Sequence, residues 1–434
     1  MARTVIKGGV VLTLDDAAPF HADGAVIVDG DRIVWVGPSS ELVLEPGDAI
    51  VDASRKVVMP GLVNLHYHVD LGRSSGEFSD DKRPMWDVLF DDWYPFIGQL
   101  TPDEVYWASM ACYAEAIRFG NTTVNDMYVQ TEARARAAGA MGIRATLSNE
   151  IATPETGIDT VERNIAAFKE ADGTQDGLVT VAFGIEWLPC ASDTILSEVR
   201  AAATDLGAGI HIHLNEAMSE VENSLERYGK RPTELAYELG FLGPDVVAAH
   251  AVHLDDREIQ WVAETGTHIS HNPASNSFLG NGIARMNDFR AAGINVGLGT
   301  DASFMQDMFE AMRWATFLHR AKAADVSVRS SPEALAMATI NGSKALGQDT
   351  GVLAPGRLAD LILLDVDQMK FAMMDRADVG SVTEFVTNHA NGNDVASTMV
   401  AGEFVMLNRE LTRVDEDEIK ANLSSSMAAA FSRA

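Results

Sequence analysis

Residues 57–68 read VVMPGLVNLHYH, a short apolar run that ends in two histidines one residue apart. Alternate residues of a β-strand point to the same side, so His66 and His68 are expected to project from one face of the strand end. Short apolar runs of this kind recur along the chain, and longer helical stretches separate them. The runs interpreted as parallel strands are 57–65, 121–126, 143–149, 178–185, 209–214, 245–250, 267–270 and 294–299.

The separating stretches show the apolar period of amphipathic helices, as in 103–119, 193–206 and 333–346. Repeated alternation of strand and helix predicts an α/β fold in which parallel strands close into a (β/α)8 barrel of the TIM type. The catalytic groups of such barrels lie at the C-terminal ends of the strands, where several strands meet. Polar residues at strand ends are therefore the first candidates for a functional site.

Both ends of the chain show a different, β-rich pattern. Residues 4–57 form short strand-like runs, and the Asp-Gly pair at 29–30 between two of them favours a hairpin. The β pattern returns after residue 350, and neither piece alone has enough strands for a stable core. We therefore predict a first part of a small β-sandwich domain at 1–57, a metal-dependent barrel at 58–349, and the second part of the sandwich with a C-terminal helix at 350–434.

Composition narrows the range of partners. Hydrophobic residues make up 47% of the 434 residues, which is enough for a large core, and no apolar run approaches the roughly 18 residues of a membrane span. The formal net charge of −30 disfavours nucleic acid and anionic membranes, because phosphates are repelled. Two cysteines and a start without signal-peptide features predict a cytoplasmic protein. We expect a small-molecule substrate and a homo-oligomer.

Metal-ligating residue types follow the later strands as well. His213 lies in the fifth run, His250 ends the sixth, and Asp301 follows the eighth. A lone pair of histidines one residue apart is a weak signal, but histidines at three strand ends and an aspartate at a fourth are hard to reach by chance. Three imidazoles and a carboxylate form a nitrogen and oxygen donor set that suits zinc or iron and leaves room for water.

Five motifs carry a resemblance to a known family. They are PGLVNLHYH at 60–68, HLNE at 213–216, His250, SHNPASN at 270–276 and GTD at 299–301. Together they resemble the amidohydrolase superfamily, and most closely its aminohydrolase branch. That branch contains deaminases of adenosine derivatives, guanine and cytosine, as well as triazine hydrolases. The resemblance extends over nearly the whole chain.

The resemblance implies one divalent metal ion per chain, with zinc expected first and iron as the alternative. The implied ligands are His66, His68, His213 and Asp301. Glu216 corresponds to the acid that moves a proton to a ring nitrogen, and His250 to the histidine that orients the attacking water. Asp301 also takes the proton of that water. Binuclear relatives bridge two metals with a carboxylated lysine on strand four, but no lysine occurs between residues 169 and 230.

These roles predict a hydrolytic deaminase of a small amino-substituted N-heterocycle, in which a metal-bound hydroxide displaces ammonia. The first alternative is a hydrolase with another leaving group, such as chloride, an alkylamine or a cyclic amide. The second is a non-catalytic scaffold that kept the barrel. The complete ligand set, together with Glu216 and His250, argues against the scaffold.

Substrate contacts are expected from Trp86, in an insert at 69–97 that would cover the metal, and from Glu186, His271 and Asn276. Nucleoside-type relatives carry a carboxylate where this chain has Ile97, and a histidine where it has Glu186. They also carry an arginine after strand three, whereas the run 144–149 of this chain reads RATLSN and has its one arginine, Arg144, at the start of the run. These departures argue against an adenosine-like substrate and for a heterocycle without ribose.

Each of these side chains also has a structural interpretation. Glu186 could instead form an ion pair with a nearby arginine, and packing could be the whole role of His271 and Asn276. His211, one layer below His213 on the same strand face, is interpreted as a buried, hydrogen-bonded histidine rather than a ligand.

Overall fold

The computed structural model describes residues 3–69, 83, 85–153, 158–302 and 306–433, apart from the side chains of Met85 and Trp86. The chain divides into two compact units. The first consists of Met1–Asn64, Ala114–Thr123 and Asp307–Val414, and the second of Leu65–Tyr113, Val124–Gln306 and Asp415–Ala434. None of the helices within the described ranges combines the length and the apolar character that crossing a membrane requires.

A nine-stranded sheet contains strands from both ends of the chain. Its strands are β1 (Thr4–Leu12), β2 (Phe20–Asp29), β3 (Arg32–Pro38), β4 (Ala49–Asp52), β5 (Lys56–Pro60), β16 (Leu361–Asp365), β17 (Val395–Val400), β18 (Glu403–Leu407) and β19 (Glu410–Leu411). The antiparallel pair β5 and β16 joins the two ends, with Val58 opposite Leu363. Buried aliphatic side chains on β1, β2, β5 and β16 form one continuous core cluster.

Ten further strand segments form two five-stranded sheets, in the orders β15-β6-β7-β8-β9 and β10-β11-β12-β13-β14. Their bounds are β6 (Leu62–His68), β7 (Asn121–Met127), β8 (Arg144–Ser148), β9 (Val179–Val181), β10 (Phe183–Trp187), β11 (Ile210–Leu214), β12 (Val246–His250), β13 (His268–His271), β14 (Val296–Leu298) and β15 (Asp301–Ala302). The recorded neighbour pairs are parallel, which confirms the predicted α/β class.

Helices separate most of the strands. Their bounds are Met85–Val88, Tyr94–Ile97, Pro102–Arg118, Thr131–Met141, Val161–Ala171, Asp193–Leu206, Met218–Tyr228, Pro232–Glu238, Asp256–Thr265, Pro273–Phe278, Met286–Ala291, Met308–Ala323, Ser331–Met337, Ile340–Ala345, Val379–Asn388 and Glu416–Phe431. Side-chain caps begin several of them, such as the capping box of Asp255 and Glu258. The last helix belongs to the second unit, where Phe431 stacks on Phe96 with ring centroids 5.4 Å apart.

Two of the predicted strand runs are divided in the structure, and a third is followed by a further short strand. The run 57–65 breaks at Gly61, because residues up to Pro60 pair within the nine-stranded sheet and Leu62 begins β6. The run 178–185 breaks at Ala182 into β9 and β10, and the last run is followed by the separate short strand β15. Apolar continuity does not reveal these breaks, because both sides of each break are buried.

The break at Gly61 generates a test of the fold. A Cβ atom at position 61 would lie 2.2 Å from the Cγ2 and Oγ1 atoms of Thr122, a fully buried side chain. Gly61→Ala should therefore lower the free energy of unfolding by about 1–3 kcal/mol, the usual cost of overpacking. Denaturant unfolding followed by circular dichroism measures this. Gly209→Ala is the matched control, because its nearest contact is an ordinary 3.4 Å; equal stability of the two variants would contradict the packing argument.

Candidate active site

Four strands, two from each five-stranded sheet, bring the predicted metal ligands and His250 together. His66 and His68 lie at the end of β6, His213 near the end of β11 and His250 at the end of β12. Asp301 begins β15, where its backbone pairs with Tyr67, the residue between the two histidines of β6. Strand register therefore places the Asp301 carboxylate beside both imidazoles.

The donor atoms of this cluster, which we call the His–Asp cluster, are closely spaced. The Nε2 atom of His68 lies 3.2 Å from Nε2 of His66 and 3.3 Å from Nε2 of His213. The Oδ1 atom of Asp301 lies 3.3 Å from His66 Nε2 and 3.2 Å from His68 Nε2. Two triads with donors within 4.8 Å of one another share His66: one adds His68 and His213, the other His250 and Asp301.

These separations fit a divalent metal. Nitrogen and oxygen ligands bound at about 2.0–2.1 Å in tetrahedral geometry lie about 3.4 Å from each other. The observed donor separations of 3.2 and 3.3 Å match that value. The donor set is borderline in softness, which suits zinc or iron better than calcium or magnesium.

A second layer of hydrogen bonds fixes the orientation of the imidazoles. The Nδ1 atom of His68 lies 2.6 Å from the carbonyl oxygen of Met127, and Nδ1 of His213 lies 2.7 Å from that of Glu186. A carbonyl can only accept, so each Nδ1 carries a proton, and the neutral form of each imidazole has its lone pair on Nε2, the atom that belongs to the cluster. His66 Nδ1 lies 2.8 Å from Nε2 of His211, which is therefore a buried supporting histidine, as interpreted from the sequence.

Burial sets the charge of the cluster. Desolvation lowers the pKa of His66 to about 3 and that of His213 well below its ordinary value, so both are neutral, as metal ligation requires. Burial also opposes the charge of His68, but the nearby carboxylates of Asp301 and Glu150 raise its pKa well above the ordinary value. For Asp301, burial raises the pKa, but hydrogen bonds from His66 and His68 bring it well below its usual range.

The backbone is strained at the same place. His250, Ala251, Asn215 and Asp301 have φ angles of 72°, 49°, 49° and 67°, in the left-handed region that residues other than glycine rarely adopt. Each such residue costs on the order of 1–3 kcal/mol and persists only where the surrounding structure holds it. Strain concentrated at the strand ends is typical of a functional site.

Glu216 is a carboxylate held by two side-chain donors. Trp187 Nε1 donates to its Oε2 at 2.9 Å, and Asn281 Nδ2 donates to its Oε1 at 2.9 Å. The side chain is 5% exposed, and Glu216 lines the cavity beside the His–Asp cluster. Two fixed donors leave the carboxylate little freedom to turn away from a bound molecule.

His250 is oriented by Asn276. Its Nδ1 atom lies 2.8 Å from Asn276 Oδ1, so Nδ1 carries the proton. Its Nε2 atom is buried and has no hydrogen-bond partner within the described ranges, and it faces the cluster that includes His66 and Asp301. An unprotonated nitrogen in this position can accept a hydrogen bond from a water molecule.

A cavity opens onto the His–Asp cluster. Apolar and aromatic side chains form much of its wall, including Leu89, Trp93 and Tyr94 from the insert that the sequence places over the metal. The remaining lining residues are His68, Tyr128, Glu150, Glu186, Trp187, His213, Glu216, His250, Leu279, Asp301 and Ala302. The side chain of Trp86, a predicted substrate contact, lies outside the described residues.

The other predicted substrate contacts differ in position. Glu186 lines the cavity, and the Tyr94 hydroxyl donates to its Oε1 atom. Asn276 is not among the lining residues and instead holds His250. His271 is buried at the end of β13, also away from the lining, and its carbonyl accepts a backbone hydrogen bond from Gly299. Ile97 is likewise buried outside this cavity.

Sequence analysis missed four residues of the site: Glu150, Trp187, Ser275 and Asn281. Glu150 and Trp187 follow or end strands β8 and β10, so the strand-end rule could have found them. Ser275, whose hydroxyl donates to Asp301 Oδ2, lies within the quoted motif at 270–276. Asn281 lies in a loop, and no local pattern marks it.

Comparison with known proteins identifies the family. The amidohydrolase family matches residues 57–405 of this chain. A 5'-deoxyadenosine deaminase of Methanosarcina mazei is 35% identical over 425 residues, covering 96% of both chains. A 5-methylthioadenosine/S-adenosylhomocysteine deaminase of Acetivibrio thermocellus is 36% identical over 382 residues, covering 87% of both. The chain belongs to the amidohydrolase family, which confirms the family predicted from its motifs.

Solved structures show the same fold. An adenosine deaminase from Xanthomonas campestris with bound zinc superimposes with a TM-score of 0.91 at 26% identity, covering 99% of both chains. The guanine deaminase of E. coli has a TM-score of 0.81 at 20% identity, covering 94% of this chain and all of the other. At that identity, the second likeness concerns the fold alone.

The geometry of the His–Asp cluster predicts a metal content that mutation can test. Purified protein should contain about one divalent ion per chain, and His66→Ala or His213→Ala should remove most of it, because a lost ligand cannot be replaced from this set. Mass spectrometry of the metals measures the content. His268→Ala, a buried histidine outside the cluster, is the matched control and should keep its metal. Full occupancy in both ligand variants would contradict the site.

Proposed function

We propose that this protein is a metal-dependent hydrolytic deaminase that releases ammonia from a small amino-substituted N-heterocycle. One observation carries the proposal. The Glu216 carboxylate, held by Trp187 and Asn281, faces the same cavity as the His–Asp cluster. Attack of water on a ring carbon requires a group that protonates the ring and a metal site that activates the water, both facing one cavity. The deaminase names of the sequence relatives support the same reaction.

The proposal also covers the closure of the barrel, the domain limits, the oligomeric state and the cellular location. We propose that the parallel strands close into a (β/α)8 barrel, in which β9 with β10 and β14 with β15 each form one broken strand. The bridge between Ile151 and Ile185 supports this closure, because it connects the end of β8 to β10. The nine-stranded sheet would form the β-sandwich domain, with domain limits at 1–57, 58–349 and 350–434. A cytoplasmic homo-oligomer is part of the same proposal.

His66, His68, His213 and Asp301 would hold one divalent ion, with zinc preferred. When bound, such an ion supplies a Lewis acid that lowers the pKa of water towards about 7. His250 Nε2 accepts a hydrogen bond from the attacking water and so orients it. Asp301, which is ionised, accepts the proton that this water loses. Ser275 holds the other oxygen of the same carboxylate in place.

Glu216 moves the proton that makes the ring reactive. As a protonated acid, it delivers the proton to the ring nitrogen next to the carbon that bears the amino group. Protonation makes that carbon electrophilic, water adds to it, and the C–N bond to the amino group breaks. The leaving nitrogen takes the proton that Asp301 accepted and departs as ammonia, and the proton of the added hydroxyl group returns to Glu216. Trp187 and Asn281 keep the carboxylate aligned through these transfers.

The substrate is proposed to lack ribose. The sequence relatives are named for adenosine derivatives, but the position where the family carries a sugar-binding carboxylate is Ile97, a buried residue away from the cavity. A panel of amino-heterocycles, with and without ribose, tests the point. Ammonia release from the free heterocycles is expected, whereas exclusive turnover of nucleosides would contradict it. Release of chloride or an alkylamine without ammonia would favour the alternative hydrolase.

The proton-transfer role predicts a specific loss. Glu216→Gln keeps the size of the side chain but cannot deliver a proton, so kcat should fall by about 10²-fold or more while the metal content is unchanged. Steady-state kinetics and metal analysis of the same preparation measure both quantities. Glu222→Gln, an exposed glutamate on the following helix, should keep the wild-type rate. A near-normal kcat in Glu216→Gln would refute the role.

A further inference from the structure

The cavity has a second acidic wall that the proposed chemistry does not use. It consists of Glu150 and Glu186, each 4% exposed. In each side chain, the Oε2 atom has no hydrogen-bond partner in the described part of the chain. Burying a carboxylate oxygen without a partner is costly, so a buried and unpartnered pair that lines a cavity points to a ligand.

These carboxylates are not needed to orient the metal-ligating histidines. A neutral imidazole has one N–H group, and in His68 and His213 that group already points to a backbone carbonyl, at 2.6 and 2.7 Å. The carboxylate oxygens of Glu150 and Glu186 lie farther away, at 3.5 and 3.6 Å from the same nitrogens. Those distances are beyond a normal hydrogen bond. The backbone carbonyls therefore already orient His68 and His213, and the two glutamates are not required for that.

No lysine or arginine neutralises the wall within the described ranges. The cavity lining contains no lysine or arginine, and no ion pair joins either carboxylate to one. Tyr94 donates one hydrogen bond to Glu186, which leaves its other oxygen open. Neither glutamate belongs to a described group of three metal-ligating side chains, so a second metal has no ligand set here. The arginine ion pair considered from the sequence is absent from the described residues.

Charge on the whole cavity favours a cation. Glu150, Glu186, Glu216 and Asp301 are four carboxyl groups on one lining. Burial and the neighbouring Glu150 raise the pKa of Glu186 well above its ordinary value, and a bound cation would oppose that shift. Trp93, Tyr94 and Leu89 form flat, apolar surface beside the carboxyl groups. A planar cation that carries N–H donors along one edge satisfies both features, because charge-assisted hydrogen bonds to a carboxylate are short and strong.

We infer that Glu150 and Glu186 recognise a cationic N–C–N edge, so that the preferred substrates are flat amino-heterocycles with an amidinium-like edge directed away from the metal. This inference rests on the proposed function, because it names the substrate class of the same site. Glu150 and Glu186 are specificity-determining residues in this scheme and take no part in bond breaking.

Equilibrium binding tests the inference without requiring turnover. Benzamidine, a planar cation, and benzamide, its neutral isostere, are titrated calorimetrically into the zinc-loaded full-length protein. We expect the wild type to bind benzamidine about 100-fold more tightly, since a hydrogen bond to a charged group contributes about 1.5–3 kcal/mol. Glu150→Gln and Glu186→Gln should each reduce this preference to about tenfold or less. Glu222→Gln makes the same change of net charge at an exposed position and should keep the full preference.

Thermal unfolding of the same variants separates recognition from a structural role. If Glu150 and Glu186 serve to bind a ligand, the glutamine variants should melt at or above the wild-type melting temperature. Benzamidine should raise the melting temperature of the wild type but not that of the variants. Lower melting temperatures together with an unchanged preference would overturn the inference, as would equal affinities of the wild type for the two probes. A normal preference without ammonia release from any heterocycle would contradict the proposed deaminase alone. Because there are two single variants, failure of one to fold leaves the other as the test.

Discussion

The site depends on one buried carboxylate held between imidazoles, Asp301 against the Nε2 atoms of His66 and His68. Burial alone would raise the pKa of this carboxyl group. The hydrogen bonds from the two histidines reverse that effect and bring the pKa of Asp301 well below its usual range. The left-handed backbone at Asp301 and His250 follows from the same requirement, because the chain must turn sharply where these side chains converge.

Around this core, the polar groups divide into two kinds. Backbone carbonyls and His211 accept hydrogen bonds from the Nδ1 atoms of the cluster imidazoles. Trp187 and Asn281 donate hydrogen bonds to the two oxygens of Glu216. These contacts are complete and position the reacting groups. Glu150 and Glu186 are of the other kind, since each keeps a buried oxygen open to the cavity. A natural structure tolerates a buried carboxylate oxygen without a partner where a bound ligand supplies the missing hydrogen bond.

The relatives illustrate why fold and family do not identify a substrate. Deaminases named for adenosine derivatives share about a third of this sequence over nearly its full length. The candidate metal ligands and Glu216 lie in motifs that resemble that family, whereas Ile97 and Glu186 depart from the family pattern. A conserved reaction requires only the atoms at the reacting carbon, so the rest of the cavity is free to change with the molecule that binds there.

The sequence by itself determined the α/β class and which ionisable side chains meet at the strand ends. Apolar runs of strand length predict parallel strands, and side chains at strand ends converge whatever their separation in the chain, so His66, His68, His213, His250 and Asp301 could be named in advance. The breaks at Gly61 and Ala182, the support of Glu216 by Asn281, and the open oxygens of Glu150 and Glu186 were decided only by the tertiary structure. These features depend on strand register and on contacts between residues far apart in the chain, which no local pattern encodes.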